Sequence, residues 1–166
     1  MFGVCMLVLN GCSTDEVTTL NDPDELLQKE NALDLKAFDS WAEQIDYLTK
    51  KMRSYHNFQV AVAQGFEFLV YMPNMGDHFA IAERIDDQFN FLEPELLIYI
   101  INDDGEREFV GVEYLVASGE GTPPEGFIGE DDVWSYLGGG LWALHAWVGL
   151  ENPDGVFYST NSLVTY

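Results

Sequence analysis

From residue 34 onward, apolar side chains recur in steps of three and four, at Leu35, Phe38, Trp41, Ile45, Leu48, Met52 and Tyr55. That spacing gathers them on one face of an α-helix. Lys29, Lys36, Lys50, Lys51 and Arg53 fall in the same region, on the polar side of the pattern. Upstream, Asp22-Pro23-Asp24-Glu25 is a helix start, with a capping acid, proline at the first helical position and acids at the positive end of the dipole. It predicts a short helix to about Asn31. The helical pattern continues or restarts through Phe58-Gln59-Val60-Ala61-Val62-Ala63, and Gly65 is its stop.

Beyond Gly65 the period changes. Runs at 66–72, 95–102, 107–117 and 141–148 read as strands. The second and third are joined by Asp103-Asp104-Gly105-Glu106, and Asp-Gly between two apolar runs signals a hairpin. With Asp104-Gly105 as a two-residue turn, Ile100 faces Phe109, Ile98 faces Gly111 and Leu96 faces Glu113. Residues 118–140, rich in Gly, Pro and acids, read as a long loop over an opening. Asn152-Pro153-Asp154-Gly155 is a turn. The expected fold is α+β, with N-terminal helices packed on a mostly antiparallel β-sheet. The sheet is either a cone wrapped around a long helix or the flat layer of a two-layer sandwich. Residues 22–166 form this single domain.

Two side chains disturb the apolar pattern. Glu113 lies in Phe109-Val110-Gly111-Val112-Glu113-Tyr114-Leu115-Val116, where both faces of the strand are apolar. A one-residue error in the turn therefore does not free it. His145 lies in Leu141-Trp142-Ala143-Leu144-His145-Ala146-Trp147-Val148 with no charged neighbour. A buried carboxylate must be neutralised, hydrogen-bonded or bound to a cation. His78 follows Met75-Gly76-Asp77, a glycine-containing turn. Two imidazoles and one carboxylate suffice to hold a divalent transition metal such as Zn(II), Fe(II) or Mn(II). His78, Glu113 and His145 are the candidate ligands, with Glu95, Tyr99, Tyr114 and His56 as candidate supporting groups. The alternative for the same residues is a structural network, or an acid–base pair, in which Glu113 bonds a histidine or tyrosine. Gly138-Gly139-Gly140 is no phosphate loop, because no lysine follows it. No serine sits in a nucleophile elbow, so covalent catalysis is not expected.

The chain has 166 residues with 29 acids and 7 bases, a formal charge of −22. Nothing here can neutralise a run of phosphates, so a nucleic-acid partner is excluded. The first eleven residues carry no charge, and Leu9-Asn10-Gly11-Cys12 after a short apolar run resembles a bacterial lipobox. That resemblance implies a signal peptide over residues 1–11, lipidation of Cys12 and a polar tether over 12–21. The usual basic segment before such a run is missing, which leaves a start upstream of Met1 open. Cleavage would remove Cys5 and leave Cys12 alone, so no disulfide is expected. The expected location is the bacterial cell envelope, periplasmic or surface-exposed, with the membrane reached only through the anchor.

Met75-Gly76-Asp77-His78-Phe79, Pro94-Glu95-Leu96-Leu97-Ile98-Tyr99, Val110-Gly111-Val112-Glu113-Tyr114, Leu144-His145-Ala146-Trp147 and Asn152-Pro153-Asp154-Gly155-Val156-Phe157 form a set. As a set they resemble the motifs of a family of bacterial proteins with no established activity, over about residues 55–161. The chain departs from that pattern at Phe79, Gly149 and Asn161-Ser162. The resemblance implies a shared fold and a shared pocket, and supplies no reaction. Two functions remain in view. One is a lipid-anchored protein with a buried His/Glu metal site. The other is a non-catalytic module that binds a small molecule or partner in a His/Glu pocket.

Overall fold

The computed structural model describes residues 38–165. The signal peptide, Cys12, the tether, the Asp22 helix start and Leu35 lie outside the described residues. Helix α1 (Trp41–Lys51) opens on Ser40, whose hydroxyl accepts from the Glu43 amide, and carries Glu43 in its first turn and Lys50 and Lys51 in its last. All three charges suit the helix dipole. A 3₁₀ turn, Met52–His56, follows, then α2 (Phe58–Ala63), capped by the Asn57 side chain. The periodicity predicts a long helix to about Tyr55 and a helical pattern that continues or restarts through Phe58–Ala63. The structure divides the two at Asn57, whose extended backbone ends the first segment while its side chain begins the second.

The strands are β1 (Glu67–Met72), β2 (Gly76–Ala80), β3 (Leu96–Ile101), β4 (Arg107–Val116), β5 (Ser135–Gly138) and β6 (Leu141–Ala146). They form one antiparallel sheet in the order β1-β2-β3-β4-β6-β5. The chain is thus α+β. Two strands, β2 and β5, are additions to the four that the sequence predicts. The β5–β6 connection is the Gly139-Gly140 turn, with positive φ at both residues, as a two-residue type I′ hairpin requires. Among the described residues, no helix is long and apolar enough to cross a membrane.

Register fixes which side chains share a face. Phe79 pairs with Leu97, Leu97 with Val112 and Val112 with Ala146. These belong to the main buried cluster, together with Leu48, Met52, Tyr55, Ala61, Tyr99, Phe109, Tyr114 and Phe127. The alternate positions form the other face, where Ala80 pairs with Leu96, Leu96 with Glu113 and Glu113 with His145. His78 lies on that face too, two residues before Ala80 and opposite Ile98. The Ser118–Gly140 stretch serves both faces: Ser135 and Leu137 of β5 line the second one, while its middle packs on the first. Its Phe127 joins the main cluster, and the Ile128 amide donates to Gln44 on α1.

The β3–β4 hairpin departs from the two-residue turn in a compensated way. Ile101 pairs with Arg107, and Gly105, at φ +78°, closes the loop by donating to the Asn102 carbonyl. The loop is therefore one residue longer than Asp-Gly alone implies. Ile100 meets Glu108 and not Phe109. Val110 then bulges out of the ladder, since Tyr99 pairs with Phe109 and Ile98 with Gly111. The two offsets cancel, and Leu96 still faces Glu113. The bulge sends Phe109 to the main cluster and Val110 to the opposite side with Ile98 and Trp147.

Candidate metal centre

Each ligand candidate is carried by a different strand: His78 by β2, Glu113 by β4 and His145 by β6. Glu113 and His145 are direct cross-strand partners, and His78 approaches across β3. A glycine lets the end of β6 pass close to β4. Gly111 takes part in the row between His78 and β6, and a Cβ there would lie 2.9 Å from the Ala146 carbonyl oxygen. The imidazole of His78 is aimed by a second glycine. Gly76, at φ +113°, has its carbonyl 3.1 Å from His78 Nδ1. A carbonyl only accepts, so Nδ1 carries the proton and Nε2 presents a lone pair. This is the arrangement by which metal-binding histidines are held from behind.

His78 Nε2 lies 3.5 Å from Glu113 Oε2, and His145 Nε2 lies 3.7 Å from Glu113 Oε1. Both exceed ordinary hydrogen-bond lengths. One donor atom from each of the three residues falls within 4.8 Å of the others. Donors bound to one ion at about 2.1 Å stand roughly 3–3.6 Å apart, so small side-chain adjustments close the set around an ion. His145 Nε2 is buried and has no hydrogen-bond partner among the described residues. A buried polar atom left in that way is costly unless something further binds it.

Electrostatics agree with a site that lacks internal compensation. Burial, with the nearby Glu95 charge, pushes the Glu113 carboxyl up to about 8. Burial, with His78 beside it, pushes the His145 imidazole down to about 3. Burial also lowers His78, against hydrogen bonding and the Asp77 charge that raise it. All three shifts disfavour the charged form, so burial works against an ion pair among these groups. A divalent cation would restore the carboxylate and use both imidazole lone pairs. The His78, Glu113 and His145 group can hold a metal ion.

The other candidates lie elsewhere. The Tyr99 hydroxyl donates to the Tyr55 carbonyl and the Tyr114 hydroxyl to the Phe91 carbonyl, both 2.9 Å and both on the opposite face. His56 is exposed and meets the edge of Phe109 on that side too. Glu95 is buried and accepts from the Leu115 amide, and it lines a separate polar cleft with Arg84, Asp86 and Gln88. It reaches Glu113 through its charge alone.

Above the three ligands opens a cavity of about 240 Å³. Leu69, Val70 and Met72 of β1, Met75, and Leu137 of β5 form its walls, with Leu96 and Leu115 beside Glu113. The two edge strands of the sheet thus line one cavity, so the sheet is curled and the ligands lie inside the curl. Trp147 stacks on His145, with ring centres 6.0 Å apart and planes 15° from parallel. Sequence reasoning did not reach these walls. The unalternating apolar run Phe68-Leu69-Val70-Tyr71-Met72 was the available signal. Compared with protein-family models, with curated proteins and with solved structures, the chain matches none.

Proposed function

We propose that this protein is a lipid-anchored cell-envelope domain that binds a divalent transition metal ion through His78, Glu113 and His145. The observation that carries the reading is the buried, unpartnered His145 Nε2, 3.7 Å from one oxygen of Glu113 whose other oxygen lies 3.5 Å from His78 Nε2. Two nitrogens and one oxygen suit Zn(II), Fe(II) or Mn(II). Three protein donors leave coordination positions on the cavity side, where an incoming molecule meets the ion. The anchor rests on Leu9-Asn10-Gly11-Cys12. The N-terminal helices are read as a layer on the sheet face opposite the cavity, supported by the Tyr99–Tyr55 hydrogen bond and by Phe58 against Phe79 and Tyr99.

Elemental analysis of purified protein from metal-replete cells tests the site. One equivalent of metal is expected in the wild type and far less in His145→Ala. No stoichiometric metal in the wild type would remove the metal reading. It would leave the second one, a metal-free binding module, which the apolar cavity walls favour. Loss of radiolabelled fatty-acid incorporation in Cys12→Ala tests the anchor.

A further inference from the structure

The edge strands have an unusual property in common. On β1, Phe68 pairs with Phe79 and Val70 with His78, so Leu69 is an extra residue in the ladder. On β5, Tyr136 pairs with Trp142 and Gly138 with Leu141, so Leu137 is extra. Bulges re-aim side chains at sheet edges and beside functional sites. Both extra residues are leucines, both line the same cavity, and they are 54% and 56% exposed. Exposed sheet edges are ordinarily protected by charge. Here residues 68–72 carry none, and Leu69, Val70, Met72 and Leu137 make an apolar mouth.

The cavity is therefore graded from an apolar mouth to an ionic floor. Its polar lining comprises the three ligands with Ser135 and Ser159. A divalent ion held by two neutral imidazoles and one carboxylate carries a net charge of +1. In an apolar surround that charge calls for one further anionic donor. Resting on the metal reading above, we propose that the cavity binds a small aliphatic monocarboxylate, with its carboxylate on the metal ion and its chain between Leu69 and Leu137. At about 30 Å³ per atom, the volume takes roughly eight non-hydrogen atoms, the size of hexanoate.

The test titrates hexanoate, acetate and hexanol into the zinc-loaded and the zinc-free full-length protein, by calorimetry and by intrinsic tryptophan fluorescence. Each methylene is worth about a factor of four, so hexanoate should bind the zinc-loaded protein at least 20-fold more tightly than acetate. It should also bind at least tenfold more tightly with zinc than without, and hexanol should gain little from zinc. Leu137→Asp, at an exposed position, should cut hexanoate affinity at least tenfold and leave zinc stoichiometry unchanged. Stoichiometric zinc with no preference of hexanoate over acetate would overturn this inference and leave the metal site standing. Equal hexanoate affinity with and without zinc would overturn the head-group assignment. Failure to take up zinc at all would overturn both.

Discussion

Glu113 and His145 stand directly opposite one another on β4 and β6, yet Oε1 and Nε2 remain 3.7 Å apart. Cross-strand partners this close ordinarily bond if their chemistry allows. The gap means that the carboxyl contributes little to the fold through His145. Glu113→Gln should therefore leave the metal-free protein as stable as wild type, or up to about 2 kcal/mol more stable at pH 8, because a buried charge is removed. Zinc affinity should fall at least 100-fold. Urea unfolding and competitive zinc titration measure the two effects. A large loss of metal-free stability would mean that the carboxyl is a structural bond.

The pH dependence of the metal-free protein follows from the same groups. Glu113 is raised from 4.5 to about 8, and Glu95 to about 7. In that window the native state holds protons that the unfolded chain has lost, so stability falls as pH rises. His145 is lowered from 6.5 to about 3, and His78 is lowered too. Below 6.5 the unfolded chain takes protons that the native state refuses, so stability also falls as pH drops. Stability should peak between about pH 5 and 6.5 and lose on the order of 2 kcal/mol by pH 8.5. Stabilisation by zinc should grow over the same rise, because the ion binds the deprotonated ligands. Denaturant titrations across pH, with zinc or chelator, are the measurement. Metal-free stability that climbs steadily to pH 8.5 would contradict the burial of Glu113.

Gly76 combines a left-handed backbone with contact: φ is +113°, and a Cβ would lie 2.5 Å from the Tyr99 carbonyl oxygen. Gly76→Ala should cost about 2–4 kcal/mol and lower zinc affinity by moving the carbonyl that orients His78. Gly105→Ala is the comparison. It has positive φ but nothing within 4 Å of its Cβ, and should cost about 1–2 kcal/mol with zinc binding intact. Equal effects of the two on zinc would separate Gly76 from the site.

Tyr99→Phe removes a buried hydroxyl that donates to the Tyr55 carbonyl. A loss of about 1–2 kcal/mol is expected, with zinc affinity unchanged within twofold. A clear change in zinc affinity would return Tyr99 to the supporting groups of the centre.

Glu113 was legible in the sequence because both faces of its strand are apolar, so that no shift in register could make it a surface residue. His145 was legible for the same reason. The convergence of the two with His78 was not, because it depends on strand order, and β2 is short and follows directly on a Pro-Asn turn. β5 was hidden in a glycine-rich stretch. Parity alone sends Tyr114 to the face opposite Glu113, its neighbour in β4, and the structure finds its hydroxyl on the Phe91 carbonyl. The cavity walls escaped because residues 68–72 are apolar throughout, with no alternation to reveal the strand's faces, and because Leu137 lies in the hidden β5.

The Val110 bulge has a practical meaning for engineering. It lies between the 102–106 loop and Glu113, and from Gly111 onward β4 takes its register from Leu96, Leu97 and Ile98 on one side and, from Val112, from β6 on the other. A bulge is a joint at which a ladder can gain or lose one residue. Changes in loop length fall on the tip side of that joint, while the register that sets Glu113 against His145 is held by β3 and β6 beyond it. The Asp103-Asp104 tip is therefore the place to splice an epitope or a fluorophore-bearing peptide into this chain while the three ligands keep their positions.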